Sequence, residues 1–244
     1  MKLNPIETWT MLNIGMLGDW LIQRNLKQRV VDGLRQNLLP GLILWVFGLS
    51  MVMAYYFIDS TRPYFLEIIK LKETYGYIFS AVSTSFFGGL IPYLFMRLSG
   101  RDKNGNFWMH GIIFLIYWAF RGVDVDTFYR LQSWMFGNAT DARTIFLKVL
   151  VDQLIYCVFW ANPVTALFFA WKEVNFSFHL LRKEKKWTEI LDVIAIFAVS
   201  TWMVWIPATA IIYSLPGPLQ IPLFNLTLCF FVILVSVFGN RDKA

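Results

Sequence analysis

Between residues 38 and 238 the chain passes through six apolar stretches, 14 to 27 residues long, separated by short charged segments. They cover residues 38–58, 75–98, 107–120, 145–171, 190–215 and 221–238. A hydrocarbon core about 30 Å thick takes about 20 helical residues to cross. In lipid every backbone N–H and C=O must be satisfied within the protein, so each stretch is expected to be a helix. A β-barrel would show roughly ten-residue segments of alternating polarity, and no such pattern occurs. The expected fold class is therefore all-α, a polytopic transmembrane helical bundle of about six spans with added interfacial amphipathic helices. Residues 107–120 are short for a crossing. They form a half-helix or extend into residues 121–136, and if they do not cross the count is five.

Composition supports the same class. The chain is 57% apolar, 18% aromatic and 16% charged, against about 25% charged in a typical soluble domain. A soluble fold of this length would be left with large exposed apolar patches. The net charge of +6 is spread over several segments, unlike the dense basic stripe of a nucleic-acid binder, so no nucleic-acid partner is expected. Cys157 and Cys229 lie within apolar runs and read as buried, inert thiols. No metal site or cofactor is expected, and no P-loop, zincin pair or nucleophile elbow marks an enzyme.

Two further segments have helical apolar stripes suited to the headgroup plane. In residues 9–21 the stripe is Trp9, Leu12, Met16, Leu17, Trp20 and Leu21. In residues 64–75 it is Tyr64, Phe65, Ile68, Leu71 and Tyr75, opposite Glu67, Lys70 and Glu73. With six spans, fifteen Lys and Arg residues fall on the side of the termini and seven on the other. The positive-inside rule then puts both termini in the cytoplasm. Residues 1–37 form a cytoplasmic segment, 38–74 a first span plus interfacial helix, 75–238 the main membrane domain and 239–244 a cytoplasmic tail. The densest basic cluster, residues 182–186, suits anionic lipid headgroups.

Polar residues at membrane depth mark either packing contacts or a pathway. Asp152 and Gln153 are the best example, with Lys148 one turn earlier at i, i+4 spacing to Asp152. The two charges are expected to pair, although Lys preceding Asp is the weaker order. Asn162 and Pro163, further along, bend the helix and supply an amide. Ser80, Ser83, Thr84, Ser85, Gly88 and Gly89 form a small, hydroxyl-bearing face for close helix packing or for a narrow pore lining. Arg121, Asp124 and Asp126 read as an interfacial charge cluster just beyond the third stretch.

Three landmarks resemble the Mpv17/PMP22 family of integral membrane proteins, and its bacterial members in particular. They are Gly122-Val-Asp-Val-Asp-Thr-Phe128-Tyr129, Lys148-Val-Leu-Val-Asp152-Gln153 and Trp202-Met-Val-Trp205-Ile-Pro207. Val123, Asp126 and Phe128 stand where the family carries Pro, His and Trp. The resemblance covers about residues 80–238. It implies a compact helical membrane protein of a kind with no established enzymatic activity, and a channel-like or solute-permeation role like that proposed for some members. The expected function is a small-solute channel in a bacterial cytoplasmic membrane, with the lipid bilayer as partner and a homo-oligomer compatible with it. Asp152, Gln153, Asn162 and Lys148 would line the path, and Trp205 and Pro207 would shape its wall. The alternative is a non-conducting structural or lipid-interacting protein.

Overall fold

The computed structural model describes residues 26–100, 106–184 and 187–238, and among them there is no strand. Helix α1 is Leu26–Phe57. A 3-10 turn, Asp59–Thr61, leads into α2, which runs as Arg62–Thr84, a π-helical stretch Ser85–Leu90, and Ile91–Leu98. Helix α3 is Phe107–Phe136. Helix α4 runs as Ala142–Val151, a second π-helical stretch Asp152–Ala161, and Asn162–Glu173. A short α5, Phe178–Glu184, precedes α6, Trp187–Tyr213, and α7, Gly217–Phe238. The amphipathic residues 9–21, and Lys185 and Lys186 of the basic cluster, lie outside the described residues.

Four stretches are long and apolar enough to cross a membrane: Leu34–Phe57, Asp59–Leu98, Ala142–Glu173 and Gly217–Leu234. Thr201–Tyr213 is a shorter apolar helix. This is the make-up of a multi-pass membrane protein. The short third stretch is not a half-helix. It continues through Arg121 to Phe136 as one helix of 30 residues, about 45 Å long. The charges that interrupt its apolar run are turned inward, and so they do not stop the helix.

Local chemistry sets the ends of the helices. Asn106 caps α3 by accepting from the Met109 amide at 3.0 Å, and Gly137, at φ 83°, closes it in a conformation suited to glycine. Asp141 caps α4 by accepting from the amides of Arg143 and Thr144. The Thr144 hydroxyl and amide hold its carboxyl below the usual range. Both π stretches run up to within two residues of a proline, Pro92 or Pro163. Proline lacks an N–H and its ring would strike the carbonyl four residues back, and a wider turn relieves that clash. The bend expected at Asn162-Pro163 takes this form.

Long helices that follow one another in the chain alternate in direction. Against α2, α3 runs antiparallel: Gly122 lies on Ser80, Gly88 on Trp118, and the Tyr93 hydroxyl donates to the Phe107 carbonyl at 2.5 Å. Against α3, α4 is antiparallel, held by two parallel-plane stacks, Phe128 on Tyr156 at 3.9 Å and Tyr117 on Phe168 at 3.7 Å. Helices α1 and α6 run the same way, with Gly41 against Val204 and Gly48 against Ile211. Trp45 Nε1 fastens them by donating to the Val204 carbonyl at 3.0 Å. Helix α7 opposes α1, with Phe47 on Phe230 and Leu44 beside Phe231, and parallels α2, with Thr84 on Asn225 and Gly88 against Leu228. So α1, α3 and α6 run one way and α2, α4 and α7 the other.

The main apolar cluster joins Val125, Tyr129, Val149, Ile212, Tyr213, Leu219 and Ile221. A second one, around Phe114, Trp118, Phe168 and Phe169, fills the bundle toward the start of α3. The outer faces stay apolar and exposed, at Val46, Ile78, Ile116 and Phe159 among others, as lipid-facing helices require. Trp108 and Trp134 are 74% and 82% exposed at opposite ends of α3. The helical rise puts them about 39 Å apart.

Candidate functional site

Asp152 opens the π stretch of α4, about 15 Å along the helix from Ala142. It is 4% exposed, and what surrounds it is protein, not lipid. Tyr213, the last residue of α6, donates its hydroxyl to Oδ2 at 2.5 Å. Gln153 Nε2 donates to Oδ1 at 3.0 Å and the Cys157 thiol to the same oxygen at 3.4 Å. Gln132 of α3, fully buried, donates Nε2 to the Tyr213 hydroxyl at 2.8 Å. The Tyr129 ring packs edge-on to that of Tyr213, 5.1 Å between centroids. Trp202 Nε1 reaches the Gln153 carbonyl at 3.2 Å. Side chains of α4 and α6 therefore meet on one carboxylate, and α3 joins them through Tyr213.

The expected Lys148–Asp152 pair does not form. Lys148 is 2% exposed and its Nζ lies over the Tyr213 ring, 5.8 Å from the centroid. Three protein donors already occupy Asp152, and the aromatic face takes the ammonium in place of the carboxylate.

The charges of α3 also differ from the expected single cluster. They lie about 21–28 Å from the start of the helix, and they divide between two faces. Arg121 pairs with Asp124, which also accepts from the Tyr156 hydroxyl at 2.9 Å and from Trp160 Nε1 at 3.0 Å. Asp126 turns toward α2. Lys72 Nζ bonds its Oδ2 at 2.5 Å, Ser80 Oγ donates to that oxygen at 2.9 Å, and Arg130 Nε bonds Oδ1 at 3.1 Å. Lys72 also donates to the carbonyl of Gly76 at 3.1 Å. At Gly76 α2 kinks, with φ 51° and ψ −119°, so the ammonium serves a carbonyl at a break in the helix.

Other expected site residues stand apart from Asp152. Trp205 packs on Phe224 and Phe231, and Trp202 is the indole that reaches the π stretch. Pro207 lies inside α6 and Asn162 is half-buried just before Pro163. Of the small face on α2, Ser80 meets Asp126 and Ser83 accepts from Asn225 Nδ2 at 2.9 Å. Thr84 bonds Asn225 Oδ1 at 2.7 Å, and Gly88 and Gly89 receive the Trp118 ring. That face is used in helix packing.

Sequence reasoning missed Lys72, Gln132, Tyr156 and Tyr213. Lys72 sits among the exposed charges Lys70 and Glu73, and its i, i+4, i+8 relation to Gly76 and Ser80 was the available signal. Nothing local singled out Gln132 or Tyr213.

The two kinds of buried charge differ chemically. Asp126 has cations in direct contact, which makes a clamp between α2 and α3. Asp152 is held by neutral donors only, an arrangement that tolerates loss or gain of charge. No family model, curated protein or solved structure matches the chain.

Proposed function

We propose that this multi-pass membrane protein is a permeation protein for small solutes, with Asp152 at the narrow point of a path between α3, α4 and α6. The observation that carries the reading is a buried carboxylate, far inside a membrane-length helix, with neutral donors and no cation bonded to it. Such a group is costly in a bilayer protein and is by default a functional one. Lys148, Gln153 and Gln132 line the same region. Trp205 and Pro207 belong to its outer wall, and Asn162 to the bend below it.

The reading includes six crossings. Helix α3 falls short of the apolar criterion because Arg121, Asp124 and Asp126 lie on it, yet these side chains face the bundle. Its exposed Trp108 and Trp134 are spaced like the two aromatic belts of a bilayer. Alternating helix directions then put the start of α1, the end of α2, the start of α3, the end of α4, the start of α6 and the end of α7 on one side, and the Lys and Arg excess in the sequence makes that side cytoplasmic. Membership of the Mpv17/PMP22 family is part of the proposal. The three family-like landmarks converge: Asp124 bonds Tyr156, Asp152 opens the π stretch and Trp202 reaches Gln153.

The test is solute flux in liposomes containing the purified protein. Wild type is expected to release small solutes faster than empty vesicles, and Asp152→Asn to change that rate while inserting normally. Wild-type flux equal to that of empty vesicles would refute the reading. A second, non-conducting reading is favoured by the complete occupancy of Asp152 by protein donors. It predicts that Asp152→Asn loses folded protein.

A further inference from the structure

The bonds around Asp152 form a chain with a direction. Gln132 Nε2 donates to the Tyr213 hydroxyl oxygen at 2.8 Å, and that hydroxyl donates to Asp152 Oδ2 at 2.5 Å. This polarity suits an ionised carboxylate, which only accepts. The chain ends on an atom left over: Gln132 Oε1 is buried and has no hydrogen-bond partner among the described residues. If Asp152 takes up a proton, its O–H becomes a donor. Tyr213 can then accept that bond and turn its own hydrogen to Gln132. A half-turn of the Gln132 amide presents Oε1 there in place of Nε2. The chain then runs the other way, Asp152 to Tyr213 to Gln132. Either orientation leaves one amide atom of Gln132 unpartnered, so the amide itself favours neither, and the proton on Asp152 decides.

We propose that Gln132, Tyr213 and Asp152 form a reversible proton-binding relay, whose hydrogen-bond direction reports the charge of Asp152 from α4 through α6 to α3. The ligand is the proton. On uptake an O–H bond forms at the Asp152 carboxylate, no bond to carbon changes, and the proton is returned on release. The charged and titratable groups facing Asp152 are few. They are Tyr129 on α3, Tyr213 on α6, and Cys157, Tyr156 and Lys148 on its own helix, with the Arg121–Asp124 pair reached through Tyr156. The inference rests on Asp152 being the working residue of the proposed path and makes passage through it proton-linked.

The test is infrared difference spectroscopy of the full chain in lipid vesicles, titrated from alkaline to acid pH. A carboxylic-acid C=O band is expected to appear in wild type and to be missing in Asp152→Asn. Tyr213→Phe removes a donor to the ionised form. A hydrogen bond to a charged group is worth about 1.5–3 kcal/mol, against about 1 kcal/mol for the neutral-form bond that is lost with it, so the midpoint should rise by about half to one and a half pH units. Gln132→Leu strands the tyrosine O–H in the neutral form, whereas in the ionised form it takes away only a donor to an oxygen whose O–H still reaches Asp152, so the midpoint should fall. Gln132→Met, closer in shape, should give the same sign and covers a folding failure of the leucine variant. Opposite shifts from the two ends of the chain establish the relay. A rise or no change for both Gln132 variants would overturn it, as would the absence of any titrating Asp152 band in folded protein. Because no solute is present, opposite shifts in a protein that shows no flux would uphold the relay and refute the permeation reading.

Discussion

Gly122 is where α2 and α3 come closest, and adding one methyl group there tests the whole α2–α3 interface. A Cβ at this position would meet the Ser80 carbonyl oxygen of the α2 backbone and both Cβ and Oγ1 of Thr84 at 2.7 Å. Ordinary contact with such atoms begins near 3.4 Å, so the helices must separate by at least about 0.7 Å, and backbone cannot rotate out of the way as a side chain can. Ser80 Oγ lies 2.9 Å from Asp126 Oδ2. The same displacement carries that bond to the edge of hydrogen-bonding range. Overpacking of this kind costs about 1–3 kcal/mol, and a weakened bond to a buried carboxylate adds about 1.5–3 kcal/mol. Replacing glycine by alanine within a helix returns about 1 kcal/mol. The net expectation for Gly122→Ala is a loss of about 1.5–5 kcal/mol. Equilibrium unfolding in mixed micelles, followed by tryptophan fluorescence, measures it. Thr84→Ala added to Gly122→Ala should recover at most part of the loss, because the Ser80 carbonyl and the Cβ of residue 84 remain and the bond to Asn225 is given up. Gly122→Ala protein as stable as wild type, or more so, would refute the close backbone approach and the reasoning built on it.

The clamp between α2 and α3 gives a second expectation. Lys72→Met leaves Asp126 with the Ser80 hydroxyl and the largely exposed Arg130, and breaking a buried pair in this way costs about 3–5 kcal/mol. Lys72→Met with Asp126→Leu should be less destabilised than the sum of the single changes, in the same unfolding assay. On the opposite face, Tyr156→Phe should destabilise more than Trp160→Phe. The Tyr156 hydroxyl is the more buried of the two donors to Asp124 and its loss leaves Oδ2 of that carboxylate with Arg121 alone, whereas Trp160 is 46% exposed and bonds at the outer edge. The Asp141 cap sets an acid limit. Its carboxyl is held below the usual range by Thr144, so its stabilisation of α4 is complete above the unfolded value of about 3.9. That contribution is lost as the pH falls through the lower folded value. Hydrogen exchange at the amides of Arg143 and Thr144 should accelerate over that acid range, and Asp141→Ala should exchange fast at all pH values.

Helix content and a membrane-spanning character were legible in the amino-acid sequence because both are local. A run of apolar residues of the right length must satisfy its own backbone, and it does so as a helix whatever lies beside it. The bend near Pro163 was readable for the same reason, since a missing N–H acts within one turn. The small face of α2 was also recognisable, because glycine and serine at helical spacing allow close approach to any partner. Which partners they meet was settled by tertiary structure. Lys72 reaches Asp126 across 54 residues, Asp152 meets Tyr213 across 61, and Gln132 meets Tyr213 across 81. In sequence Lys148 was the obvious partner of Asp152, one turn away, yet three donors fill the carboxylate and an aromatic ring takes the ammonium. The interruption of α3 by Arg121, Asp124 and Asp126 read as the end of a span, since spacing along one chain does not reveal that neighbouring helices stand ready to satisfy those charges. The helices were decided by the chain's own covalent order. The pairing of buried charges depends on which faces meet, and only the packed bundle determines that.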